Sequence, residues 1–378
     1  MRKMLWIGCL AGVCMAMGGC SAGNSSSTEA QTAIEDTAEE KTAEDEQADA
    51  ETDEQESQET ASEQAEGTGK NGPGGQGGPQ VGEGRNGNGG GNRAGGQGGG
   101  QMAVETDETV LAAIEEGSEK FQQFTYEDEE TGITLEYSLY IPENYEEGTQ
   151  YPLLMFIPDS SGAGKSAKEI VEQYYGADVW VTDEEQEKHP SFVLVPAFSE
   201  VVVDDDWNTS EQIPAAVRLL YELMDTYSID ENRIYTTGQS MGCMTSLYLN
   251  SQYPDLFAAS LYVSGQWDIS VLQGMEDQTF FYITAGGDQK ASGGQDEVME
   301  MFDEDGAAYT YGTWSAQDSE EEQSAAAAEL IDQGLDANMI RFETGSVLKD
   351  GNGMEHSASF NYGYKISAVR DWLFEQSK

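Results

Sequence analysis

Two histidines, one G-x-S-x-G pentapeptide and many carboxylates are the parts of this 378-residue chain that could do chemistry. The pentapeptide, Gly238-Gln-Ser-Met-Gly242, follows a strand-like run at 233–237 and leads into a helix-like one at 241–252. Glycines around a serine permit a tight turn that lifts the hydroxyl to the top of a sheet, and a helix starting there offers backbone N–H groups to an oxyanion. Serine is a poor nucleophile without a base. His356 lies between the last predicted strand and the last predicted helix, at the carboxyl end of the sheet, where it could serve Ser240. His189 precedes a strand, at the opposite end, and reads as a surface loop residue. A carboxylate between serine and histidine in chain order should orient the imidazole. Asp288, in Ala-Gly-Gly-Asp-Gln-Lys three residues past a strand, is the first candidate. Asp268, after the preceding strand, is its rival, and Glu355 beside the histidine is a third.

These residues need a scaffold that gathers them. Alternating segments at 121–126 and 133–141 flank an acidic turn and predict an antiparallel hairpin. Short continuous apolar runs at 151–157, 192–198, 233–237, 257–263, 279–285 and 338–343 are of the kind buried on both faces of a parallel sheet. Helical patterns separate them, at 167–175, 210–227, 241–252, 295–302, 320–333 and 362–376. The order predicts an α/β fold with a mostly parallel central sheet, entered by a hairpin and covered by helices on both faces. Chemistry in such sheets sits at the carboxyl ends of the strands. A second oxyanion donor is expected in the loop after the third strand, from the backbone N–H of Asp159 or Ser160. Trp207 and Trp267, in loops after strands, are candidates for lining a substrate pocket.

The stretch from Ile229 through Thr-Gly-Gln-Ser-Met-Gly242, the segment Tyr253-Pro-Asp-Leu-Phe-Ala-Ala259 and the ending His356…Ile366…Asp371-Trp-Leu-Phe374 resemble the bacterial α/β-hydrolase family. More narrowly they are similar to its secreted polyhydroxybutyrate-depolymerase and feruloyl-esterase-like branch, some members of which are labelled peptidases. The resemblance implies Ser240, Asp288 and His356 as a catalytic triad, Met241 as an oxyanion donor, and no metal or cofactor. It implies an ester substrate, small or polymeric. A peptidase of the same fold and a binding lipoprotein on a disabled scaffold are the alternatives.

The formal net charge is −53, from 18 basic and 71 acidic side chains. That balance argues against a nucleic-acid partner and a basic membrane-surface helix. Residues 21–103 carry −13 and the first twenty +2, which leaves −42 on 104–378. Residues 1–19, with Arg2 and Lys3 before an apolar run, read as an export signal. The run Met17-Gly-Gly-Cys20 resembles the lipoprotein box, which implies lipidation at Cys20 and a cell-membrane anchor on the extracytoplasmic face, the only membrane contact expected. Residues 20–103 read as a tether, acidic and then Gly-rich, with 18 Gly in 67–100. One catalytic domain at 104–378 remains. Its one cysteine, Cys243, excludes a disulfide within the domain. Ser161-Gly-Ala-Gly-Lys-Ser166 imitates the end of a phosphate loop, but Asp159 stands where that loop needs glycine. Asp204-Asp-Asp206 lacks calcium-loop spacing and reads as a solvated loop near the cleft. Oligomeric state is open at this level.

Overall fold

The computed structural model describes residues 107–349 and 351–378, so the expected signal peptide (1–19), Cys20 and the expected tether (20–103) lie outside the described residues. Among the described residues, nine strands form one sheet in the order β1-β2-β4-β3-β5-β6-β7-β9-β8. They are β1 (Gln122–Glu127), β2 (Thr134–Tyr140), β3 (Tyr151–Ile157), β4 (Phe192–Ala197), β5 (Ile229–Gln239), β6 (Ala259–Val263), β7 (Phe280–Ala285), β8 (Thr310–Trp314) and β9 (Ala337–Phe342). β2 runs antiparallel to both β1 and β4, and every other pairing is parallel.

The apolar runs are continuous because both faces are covered. Along β3, Leu154 and Phe156 enter one core while Leu153, Met155 and Ile157 enter the other. The first core is closed by α1 (Glu108–Ser118), α2 (Ala167–Val171), α3 (Tyr175–Asp178), α8 (Glu320–Ile331), α9 (Glu355–Lys365) and α10 (Ser367–Glu375). The second is closed by α5 (Gln212–Thr226), α6 (Met241–Gln252) and α7 (Gln289–Asp305). A short helix, α4 (Asp183–Lys188), precedes β4.

Several features depart from the sequence expectation, among them the helix expected at 167–175, which is the two short helices α2 and α3, and α4, which was not expected. The helix foreseen at 362–376 is two helices, broken at Ile366, whose backbone is extended. The guanidinium of Arg370 donates to the Tyr364 carbonyl, and Ser324 Oγ accepts from the Ala368 N–H, so groups freed by the break are satisfied. α7 begins at Gln289 rather than 295 and contains Gly293 and Gly294, poor helix formers; a Cβ on Gly294 would lie 2.3 Å from that of Gln266, so close packing accounts for the glycine. β8 is a five-residue edge strand with Gly312 at its middle, and α1 buries only Val110 and Gly117, so neither carries a strong period. His189 is no free surface residue. It ends α4, stacks on Phe374 at 4.9 Å and meets Asp371 at 2.8 Å, tying α4 to α10.

Candidate active site

The carboxyl end of β5 turns directly into α6 at Ser240, whose backbone lies at φ 52°, ψ −117°. A left-handed conformation of this kind costs a non-glycine residue about 1–3 kcal/mol and persists only when its surroundings impose it. The surroundings are visible. A Cβ on Gly242 would lie 1.9 Å from the Ile157 carbonyl oxygen, and one on Gly238 would lie 2.4 Å from the Gly242 carbonyl carbon. Both glycines are therefore required by contact with the end of β3 and with each other. The first N–H groups of α6, beginning with Met241, have no acceptor inside the helix and are free to face an anion.

His356 reaches the same place from α9. Its Nε2 is 2.7 Å from Ser240 Oγ, and its Nδ1 is 2.6 Å from Asp288 Oδ2. Asp288 is buried, caps α7 by accepting from the Ala291 N–H at 3.4 Å, and follows β7 as its spacing suggested. Asp268 is elsewhere engaged: it caps a single turn by accepting from the Ser270 N–H at 3.0 Å. Glu355 accepts from the N–H groups of Gly287 and Gly345, both at 3.0 Å. His189 precedes β4 while Ser240 follows β5, so they occupy opposite ends of the sheet. Cys243 is fully buried in α6, and burial drives its thiol far above the ordinary range, which leaves it inert.

The loop after β3 lies against the elbow. Asp159 accepts from Gln239 Nε2 at 2.9 Å, from the Tyr174 hydroxyl at 3.0 Å and from the Ser161 N–H at 2.8 Å. Gln239 is the residue before Ser240, so this carboxylate pins the loop to the turn that carries Ser240. Ser160 is exposed and opens the short turn Ser160–Gly162. Nothing in the sequence flagged Gln239, since its partner is supplied only by the fold.

The profile of a family described as "Putative esterase" matches residues 129–352. The chain belongs to this esterase family. Its fold is the α/β-hydrolase fold. A thermostable esterase of solved structure is 24% identical, with TM-score 0.56, over 69% of this chain and 64% of that one. The chain thus spans just under two thirds of that relative's length. A ferulic acid esterase is 11% identical over 68% of this chain and 98% of its own, with TM-score 0.46. The feruloyl esterase module of Clostridium thermocellum is 12% identical over 66% and 87%, with TM-score 0.41. None of the curated proteins matches the chain.

A cleft of about 390 Å³ adjoins His356, lined by Gly287 to Lys290, Leu348 and Gly353 to His356. Lys290, at its rim, pairs with Asp205 at 2.6 Å, and Asp205 also accepts from Gln266. The acidic loop is solvated, as its sequence suggested, and touches α7 through this exposed pair. Asp204 accepts from the N–H groups of Asp206 and Asn208, which folds the loop and turns up Trp207 at φ 63°. Trp207 is 40% exposed, whereas Trp267 is 4% exposed and packs between Trp207 and Tyr248 at 5.3 and 5.6 Å. Of the two tryptophans singled out by sequence, one presents a surface and the other supports it.

Proposed function

We propose that this protein is a serine hydrolase that cleaves carboxylic esters through an acyl-enzyme on Ser240. The observation that carries the reading is the unbroken row from Asp288 through His356 to Ser240 at 2.6 and 2.7 Å, held beside a left-handed turn. Ser240 Oγ attacks the ester carbonyl carbon as His356 Nε2 takes its proton. The new oxyanion faces the Met241 N–H and a donor of the Asp159–Ser160 loop. Collapse breaks the bond to the alcohol oxygen, which leaves with the proton from His356. Water then gives a proton to the same nitrogen, attacks the acyl carbon, and releases the acid and free Ser240. Asp288 accepts from the imidazole throughout and holds the Nδ1–H tautomer.

An aromatic face at Trp207 and a domain charge of −42 favour neutral or cationic esters with a flat or apolar portion over polyanions. The motif resemblance supports a place in the polyhydroxybutyrate-depolymerase and feruloyl-esterase-like branch. The Met17-Gly-Gly-Cys20 run supports export and lipid anchoring on the extracytoplasmic face. A fluorophosphonate probe should label wild type and spare Ser240→Ala; a folded, unreactive wild type would point to a binding protein and sink the reading. Turnover of p-nitrophenyl acetate and a feruloyl ester, set against a peptide library, separates esterase from peptidase. Labelled palmitate should enter wild type and not Cys20→Ser.

A further inference from the structure

We propose that Glu355 is a positioning residue, one carboxylate that ties the loop bearing Asp288 to the loop after β9 and so sets the gap between Asp288 and His356. Glu355 Oε2 accepts from the N–H of Gly287, the residue before Asp288. Its Oε1 accepts from the N–H of Gly345, in the loop after β9. Glu355 itself is the residue before His356 and the first of α9. The carboxylate is therefore one residue from the base on its own chain and one residue from the acid across the bond. Both oxygens are used, each by a backbone donor, so Glu355 is spent on geometry and leaves the imidazole to Asp288. The approach is close enough that a Cβ on Gly287 would lie 1.8 Å from Glu355 Oε1, which makes Gly287 part of the same device. A second lock holds the histidine's backbone: Ser359 Oγ donates to the His356 carbonyl at 2.7 Å and meets Ser264 Oγ at 2.7 Å. Displacing a catalytic group by about 1 Å costs on the order of 10²-fold in rate, which is the scale such a clamp can protect.

The inference rests on the hydrolase reading, and its test keeps the two apart. Active molecules are first counted by fluorophosphonate titration, so that misfolded protein does not enter the rate. Glu355→Ala should lower kcat per titrated site by about 10- to 100-fold with KM changed less than about threefold, and should weaken or abolish the downfield proton resonance of the His356–Asp288 hydrogen bond. Glu355→Gln keeps one acceptor oxygen and should lose only about three- to tenfold; if the alanine variant does not fold, this variant decides. A titratable wild type whose Glu355 variants keep kcat and the resonance overturns the proposal alone. So does a loss of rate in Glu355→Gln equal to that in Glu355→Ala with the resonance intact, since the effect is then charge and not position. An untitratable wild type removes the hydrolase reading and this inference together.

Discussion

His356 takes its orienting carboxylate from Asp288, 2.6 Å from Nδ1, while Asp268 spends its own on the N–H of Ser270. The two aspartates look alike in sequence, each following a strand, and only one is placed to fix the imidazole tautomer. Asp288→Asn should therefore reduce kcat by about 10⁴-fold, because the amide reverses the donor at Nδ1. Asp268→Asn keeps an acceptor oxygen for its turn and should leave kcat within about threefold. Steady-state rates with p-nitrophenyl acetate check both; equal losses would mean the wrong acid.

Asp178 is fully buried in α3, with Gly117 of α1 against it and neither carboxyl oxygen partnered among the described residues. Burial pushes its pKa from the ordinary 3.8 up to about 9. Between those values the unfolded chain is ionised and the folded chain holds its proton, so this group makes stability fall as pH rises through the window. Asp178→Asn removes the titration. It should flatten the decline between pH 4 and 9 and raise stability at pH 8, with little change below pH 4. Urea unfolding across that range provides the measurement, and parallel curves for the two proteins would refute the assignment.

Arg370 of α10 grips Glu185 of α4 through Nε at 2.7 Å, and both are buried. Breaking such a pair strands a charge, so Glu185→Ala should cost about 3–5 kcal/mol. The double replacement Glu185→Leu with Arg370→Met removes both charges but also the donor to the Tyr364 carbonyl, and should recover part of that loss in a denaturant titration.

Two glycine-to-alanine changes should move stability in opposite directions. At Gly242 the added methyl meets the Ile157 carbonyl, and a loss of at least about 1–3 kcal/mol together with most of the activity is expected. At Gly293, inside α7, a Cβ meets nothing within 4 Å, and a gain of about 0.5–1 kcal/mol is expected. Thermal unfolding of both variants is the check.

Much of this architecture was legible in the chain because its signals are local. The strand 151–157 is apolar throughout because it is buried on both faces, and the pentapeptide around Ser240 marks a strand-to-helix turn that few residue combinations can make. Chain order then placed His356 past the last strand of the sequence, at the carboxyl end where Ser240 also lies. What the sequence determined by itself was thus the α/β sheet and the place of Ser240 and His356 at its carboxyl end. The tertiary structure alone decided which carboxylate meets His356, that Glu355 holds two loops rather than the imidazole, that Gln239 anchors Asp159, and that Trp267 is buried beneath Trp207. The physical reason is range: hydrophobic period and turn strain are written in neighbouring residues, whereas a hydrogen bond between Asp288 and His356 joins groups 68 positions apart that only the packed sheet brings within reach.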